Sequence, residues 1–176
     1  MKYLKRYRFF LLTIVLMAII FIINKEVGLK ALNVTGFSLK EMLLVIPPVF
    51  ILLGLLDVWV PRETMMKYMG ESSGLTGIIL AFIIGSAAAG PLFGAFPVAG
   101  MFMKKGVRFL NVLIFIGAWS TTKIPMLLFE LSALGTTFTV TRLLINIPGI
   151  ILIAYVLSSL VSKEEIAGIY EKAQSL

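Results

Sequence analysis

Long runs of apolar residues follow one another along most of the chain, and they constrain its fold more than any other feature. The runs at 7–23, 42–60, 109–134 and 139–161 approach or exceed the roughly 20 residues that a helix needs to cross a bilayer. Apolar residues make up 59% of the sequence and charged residues only 14%, which is not the composition of a soluble domain. The sequence predicts an all-α fold, a polytopic membrane helix bundle that forms a single domain over residues 1–176.

Two further apolar segments are less regular. Segment 74–89 is short but apolar throughout, and we count it as a crossing. Segment 90–103 contains Pro91, Gly94 and Pro97, and as a straight helix it would rise only about 20 Å. It therefore crosses the membrane only if part of it is extended, and a re-entrant loop is the alternative. Either geometry predicts an interrupted helix near 90–100.

The positions of lysine and arginine favour a crossing at 90–103. With this crossing the chain makes about six passes, and most cationic residues fall on the cytoplasmic side, as the positive-inside rule requires. The prediction is then a multi-pass protein of the cytoplasmic (inner) membrane with both termini in the cytoplasm. Segment 25–41 is too polar to span and is predicted to be a loop with room for a short helix on the membrane surface. Residues 162–176 are predicted to form a short amphipathic cytoplasmic helix that is solvated and not docked.

The composition also excludes several kinds of function. The chain has no histidine and no cysteine, so the commonest metal ligands, thiolate nucleophiles and neutral-pH bases are missing. We predict no catalytic residue, no metal site and no cofactor, and hence no enzyme. The net charge of +7 lies at the ends of apolar runs, where it faces membrane lipid and not nucleic acid. No phosphate-binding loop motif is present, so coupling must come from an ion gradient or another subunit.

A polar break, STTKIP, lies within the apolar run 109–134. A lysine near mid-membrane costs about 2.5–3.5 kcal/mol, so Lys123 requires polar surroundings inside the protein. Pro125 supplies no N–H and clashes with the carbonyl of residue 121, which predicts local unwinding at 120–124 and a freed carbonyl beside the lysine.

Polar groups at the same depth as Lys123 predict a translocation site for a small solute, with the lysine charge favouring an anion. The predicted substrate-binding residues are Lys123, Ser120, Thr121, Thr122, Asn146, Gly94 and Pro97. The predicted helix breaks are at Pro91, Pro125 and Pro148. Glu130 and Arg142 fall near the outer face, where an interfacial ion pair and an outer gate are both open interpretations. Lys123 could equally be a structural plug, bonded to carbonyls and hydroxyls in a packed bundle.

The motifs GPLFGAFPVAG, KKGV and STTKIP, with the sequence around them over about 50–160, resemble the half-length members of a predicted-permease family. This family includes YraQ-like proteins and the ArsP organoarsenical efflux permeases. The resemblance implies a membrane permease fold and, because longer relatives hold two such halves, a homodimer, which the charge bias makes parallel. The chain lacks the cysteine motif of the longer relatives, so thiolate binding of arsenic is not carried over.

The sequence leaves three functional hypotheses, in the order permease, non-transporting membrane scaffold or assembly subunit, and membrane enzyme. The permease hypothesis rests on a polar layer beside two helix breaks. In the scaffold hypothesis the same polar residues only fix helix register. Water access to Lys123 distinguishes the two.

Overall fold

The computed structural model describes residues 7–88 and 90–174, and this part of the chain is helical with no strand. The predicted all-α fold class is confirmed. The helices in the described residues are α1 (Arg8–Ile23), α2 (Lys25–Trp59), α3 (Arg62–Met69), α4 (Gly74–Ala87), α5 (Ala95–Lys104), α6 (Phe109–Thr121), α7 (Ile124–Ala133), α8 (Thr136–Leu160) and α9 (Lys163–Gln174), with short 3-10 helices at Glu71–Ser73 and Leu92–Gly94.

The chain divides into two units, Met1–Pro47 and Pro48–Leu176. In the first unit α1 and the start of α2 meet at Asn24. The side-chain Oδ1 of Asn24 accepts hydrogen bonds from the backbone N–H groups of Glu26 and Val27, at 3.1 and 3.2 Å. This N-cap satisfies donors that a helix start otherwise leaves unpaired, and it fixes where α2 begins.

The predicted loop at 25–41 is wrong, because α2 is one continuous helix of 35 residues. Polarity argues against burial, but it does not end a helix. Segment 25–41 contains no proline, and its Lys, Glu, Leu and Ala residues are good helix formers. With an N-cap at Asn24, the helix runs through the polar stretch into the apolar one. The candidate span accordingly begins at Lys25 and not at residue 42.

The second unit is organised around α6. Its most extensive contact is with α4, followed by α8 and α5. Ile114, Phe115 and Ala118 of α6 are completely buried. Phe115 packs against Phe102 and Trp119, with ring centroids 4.9 and 5.5 Å apart. The core of the unit therefore lies along α6, which carries the predicted polar break at its end.

Small residues on α4 allow α6 to approach closely. Gly77, Ala81 and Gly85 are buried and recur every four residues along one face of α4. A Cβ added at Gly85 would lie 2.6 Å from the carbonyl oxygen of Phe115 and 2.8 Å from Cβ of Ala118. Close backbone approach over small residues is the usual packing mode between membrane helices.

The KKGV motif ends α5 with a Schellman motif. Gly106 has a φ of +79°, and the N–H of Val107 donates to the carbonyl of Phe102. The N–H of Gly106 donates to the carbonyl of Met103, which completes the pattern. The motif turns the chain directly into α6.

The helix predicted at the C-terminal end is present as α9. The prediction that it is solvated is wrong, because α9 packs on α5. The hydroxyl of Tyr170 donates to the carbonyl of Val107, and Ala173 is buried. The helix is amphipathic, and its apolar face packs on a surface that the sequence did not identify. Burial raises the pKa of Tyr170 to about 12, with a smaller contribution from the charge of Glu71.

Three candidate spans are long and apolar enough to cross a membrane: Lys25–Leu52, Phe109–Ala133, which comprises α6 and α7, and Thr136–Leu160. A fourth candidate is the pair Arg62–Met69 and Glu71–Ala87, bent by 45°. The shorter apolar helices are Arg8–Ile23 and Leu92–Lys104. The six-pass count requires the bent pair and both shorter helices to cross as well, and it stays a prediction.

Pro148 does not break its helix, contrary to expectation, because α8 is continuous from Thr136 to Leu160. A proline removes one backbone hydrogen bond, and membrane helices tolerate this loss when neighbouring residues keep the helical geometry.

We predict that Gly85→Ala destabilises the second unit by about 1–3 kcal/mol, because the added methyl group meets backbone atoms of α6 that cannot move independently. The measurement is unfolding of the purified protein in detergent. The matched control is Gly149→Ala on α8, where a Cβ meets nothing within 4 Å. Equal effects of the two substitutions would contradict the close packing of α4 and α6.

Tyr170 gives a second prediction. Because its pKa is raised in the folded state, the docking of α9 contributes stability that is present below the usual tyrosine pKa of about 10 and is lost as the pH rises through about 12. Tyrosinate absorbance, taken as wild type minus Tyr170→Phe, should titrate near the higher value in folded protein and near the lower one after denaturation. A folded-state midpoint near the ordinary tyrosine value would mean that α9 is undocked.

Candidate functional site

The first helix break separates α6 from α7 at Thr122 and Lys123. Pro125, in the first turn of α7, cannot donate to the carbonyl of Thr121. That carbonyl instead accepts a hydrogen bond from Nη2 of Arg142 on α8, at 2.9 Å. The structure thus confirms the predicted interruption and the predicted free carbonyl, and it shows which group satisfies the carbonyl.

Thr122, at the break, is completely buried. Its hydroxyl lies 2.9 Å from the carbonyl of Ala118 and 2.9 Å from the hydroxyl of Ser86 on α4. A threonine hydroxyl has one proton, and this proton goes to the Ala118 carbonyl, so Ser86 must be the donor in the second bond. The pair ties the break to α4.

Lys123 joins the two interrupted segments. Its Nζ donates to the carbonyl oxygen of Gly90 at 2.8 Å, and its side chain is half-buried. Gly90 has a φ of +105°, a conformation that side-chain-bearing residues rarely adopt. The lysine therefore contacts backbone in the chain between α4 and α5, and within the described residues it forms no ion pair with an acid.

The second break lies between the end of α4 at Ala87 and the start of α5 at Ala95. Pro91 is extended there, and Leu92–Gly94 forms a 3-10 helix. Gly94 is buried beside Trp119. Pro97 does not interrupt the chain, because it lies in the first turn of α5 with its side chain exposed.

Glu130 and Arg142 form a nearly buried ion pair. The Nε of Arg142 lies 2.7 Å from Oε2 of Glu130, and the two side chains are 20% and 6% exposed. The pair links α7 to α8, and through the second bond of Arg142 it also holds the break at Thr121.

A cavity of about 310 Å³ opens beside both breaks, between α6, α8 and the 3-10 helix. Ser120 and Thr121 are its polar lining side chains, and Ser120 is exposed. The rest of the wall is hydrocarbon, from Leu92, Leu113, Ile116, Ile150, Ile153, Ala154 and Leu157, with Gly117. Asn146 lies one turn before Ile150 on the same face of α8 but does not line the cavity, and it forms no side-chain hydrogen bond within residues 7–88 and 90–174.

The structure thus brings together most of the predicted polar layer, including Ser120, Thr121, Thr122 and Lys123. It leaves Ser120, Asn146 and Pro97 outside the hydrogen-bonded network of the described residues. Sequence reasoning missed Ser86 and the carbonyl of Gly90 as partners. A serine among the small residues that end the apolar segment 74–89 carries no distinctive signal, and a carbonyl has no sequence signal at all.

Comparison with known families decides the class of the protein. Residues 28–175 match the ArsP_1 family model, described as "Predicted permease". The chain belongs to this predicted permease family. It is a multi-pass membrane protein, and its family favours a transporter over an enzyme. Neither the comparison with curated proteins nor that with solved structures gives a match.

We predict an energetic coupling of about 0.5–1 kcal/mol between Ser86 and Thr122. The measurement is a double-mutant cycle of Ser86→Ala and Thr122→Val by unfolding in detergent. The cycle subtracts the separate bond of Thr122 to Ala118, which only the valine removes. A coupling of zero would mean that the two hydroxyls do not bond in the folded protein.

Proposed function

We propose that this permease moves a small anionic solute past the layer where its two helix breaks meet, with Lys123 as the cation that attracts the solute. The observation that carries the proposal is the 2.8 Å bond between Lys123 Nζ and the carbonyl of Gly90. It joins two interrupted segments at one point, and interrupted helices are the usual place of a transporter site.

The chemistry of Lys123 supports an anion. An ammonium group has three N–H donors, and the Gly90 carbonyl takes one of them. Within the described residues Lys123 forms no ion pair with a carboxylate, and Glu130, the acid of the following helix, is paired with Arg142. The lysine charge is therefore not neutralised by a neighbouring acid, and a solute anion would supply the missing countercharge.

The proposal also includes the membrane topology and the oligomeric state. We propose six passes, cytoplasmic termini and insertion in the cytoplasmic membrane, all supported by the distribution of lysine and arginine. A parallel homodimer is supported by the resemblance to longer relatives with two halves.

We predict that Lys123→Met slows the flux of the anion. Proteoliposomes with valinomycin are placed in potassium salts of small anions, and swelling is followed by light scattering. Wild type should swell faster than empty liposomes in at least one salt, and Lys123→Met should lower that rate about tenfold, because the charge that attracts the anion is gone. Lys67→Met, at an exposed position on α3, is the control that should leave the rate unchanged.

The scaffold alternative predicts no flux and a dry site. Because the chain has no cysteine, a single Ser120→Cys can be labelled with a water-soluble maleimide without background. Ile114→Cys, at a completely buried position, is the matched control. Labelling only at Ser120 supports water access. No flux together with an unreactive Ser120→Cys would favour the scaffold.

A further inference from the structure

The cavity of about 310 Å³ beside the helix breaks is polar at one end only. Along α6 its wall runs from Leu113 to Thr121, which is about 12 Å in an α-helix. Ser120 and Thr121 lie at the end next to the break, and the α6 residues that precede them in the wall are apolar or glycine. A ligand that fills this cavity therefore needs one polar end and one apolar end.

Helix α8 forms the opposite wall and follows the same pattern. Arg142 donates to the carbonyl of Thr121, and a Cβ added at Gly117, one turn earlier on α6, would lie 2.8 Å from Cγ2 of Ile150, so the two helices run antiparallel. The α8 side chains of the wall are all hydrocarbon: Ile150, Ile153, Ala154 and Leu157. The guanidinium of Arg142 thus lies at the polar end of the cavity, and hydrocarbon extends away from it.

Ser120 provides a free donor at this polar end. The hydroxyl of Thr121 donates to the carbonyl of Gly117 at 3.0 Å, so its single proton is in use. Ser120 is exposed, and its hydroxyl forms no hydrogen bond within residues 7–88 and 90–174. An anionic head group placed in the cavity can therefore accept a hydrogen bond from Ser120.

Two cationic side chains lie next to the polar end. One is Arg142, and the other is Lys123, whose Nζ donates to the carbonyl of Gly90, two residues before Leu92 in the cavity wall. Glu130 is paired with Arg142, so these three groups carry one net positive charge. No charged residue lines the cavity itself. The charge distribution is therefore complementary to a monoanion whose head group is at the break.

An inorganic anion matches only part of this cavity. Such an ion at Ser120 would leave the hydrocarbon walls in contact with water, and ordered water in a cavity needs several polar partners. Only two side chains of the wall are polar. A hydrocarbon chain attached to the anion would cover the apolar walls, and each CH₂ group that it buries favours binding from water.

We propose that the solute is an organic monoanion with a short hydrocarbon chain. Its head group binds at Ser120 beside the two cations, and its chain fills the cavity towards Leu113. Charge then selects the head group, and the length of the apolar wall selects the chain. This inference rests on the proposed function and names the substrate class.

The test measures binding of linear alkanesulfonates, from methanesulfonate to octanesulfonate, to the purified full chain in lipid nanodiscs. The sulfonate group stays ionised at neutral pH, so chain length is the one variable. Each Kd is obtained from the rise in melting temperature with free ligand concentration, at constant ionic strength. The Kd should fall about fourfold for each added CH₂ until the chain fills the cavity, and then stay constant.

Three variants separate the two ends of the site. Ile153→Trp places a large side chain in the cavity wall and should remove the dependence on chain length. Ile145→Trp is the matched control, because Ile145 is on the same helix and similarly exposed, 64% against 60%, but does not line the cavity. Lys123→Met should raise the Kd about tenfold for every alkanesulfonate and leave the dependence on chain length unchanged.

The inference is wrong if methanesulfonate and hexanesulfonate bind equally, or if no alkanesulfonate binds, as when a bilayer acyl chain fills the cavity. It is also wrong if a folded Ile153→Trp keeps the wild-type dependence on chain length. Loss of this dependence in Ile145→Trp as well would contradict the assignment to the cavity.

The outcomes separate this inference from the proposed function. Flux of inorganic anions that depends on Lys123, together with equal binding of all alkanesulfonates, would leave the permease proposal standing and remove the substrate class. Binding that depends on chain length, without flux in any salt, would remove the permease proposal but leave the cavity as a site for organic anions.

Discussion

A backbone carbonyl inside hydrocarbon must find a donor, and the site depends on how this protein meets that requirement at its two helix breaks. Such a group left unpaired in a bilayer costs several kcal/mol. The carbonyl of Gly90 accepts from Lys123, and the carbonyl of Thr121 accepts from Arg142. Two cationic side chains thus donate to the carbonyls that amide N–H groups would satisfy in an unbroken helix.

Using cations for this purpose links the fold to the proposed function. A backbone amide that donates to a carbonyl has no further N–H donor, whereas an ammonium or guanidinium retains its charge and further N–H donors. The groups that make the breaks tolerable in a membrane are therefore also able to attract an anion. Thr122 and Ser86 contribute differently, because Ser86 donates to Thr122 and Thr122 donates to the carbonyl of Ala118, and these neutral hydroxyls only fix the end of α6 against α4.

Local covalent chemistry predicted the break at Pro125 but failed at Pro148, where the helix is continuous. Pro125 removes one N–H, so the break and the free carbonyl of residue 121 could be foreseen. The donor that satisfies this carbonyl could not, because Arg142 is 21 residues away on another helix. The continuous helix through 25–41 was missed since polarity was taken for a helix break, although the N-cap Asn24 was visible. The docking of α9 was missed because an apolar helix face does not indicate which part of the protein it packs against.

The two helix breaks differ in the conformational freedom of their backbone, and this difference indicates which of the two segments can rearrange. The break before α7 is fixed by the missing N–H of Pro125, so it persists when its cation leaves. The break before α5 contains Gly90 at a φ of +105° and is joined to the rest of the layer through Lys123. Pro91 keeps this segment from closing into a helix as well, but Gly90 has access to both halves of the φ range, so under the proposed function the release of Lys123 by a solute would give this segment more conformational freedom than the break before α7. Rearrangement on solute binding is therefore expected in the chain between α4 and α5, beside the cavity wall at Leu92.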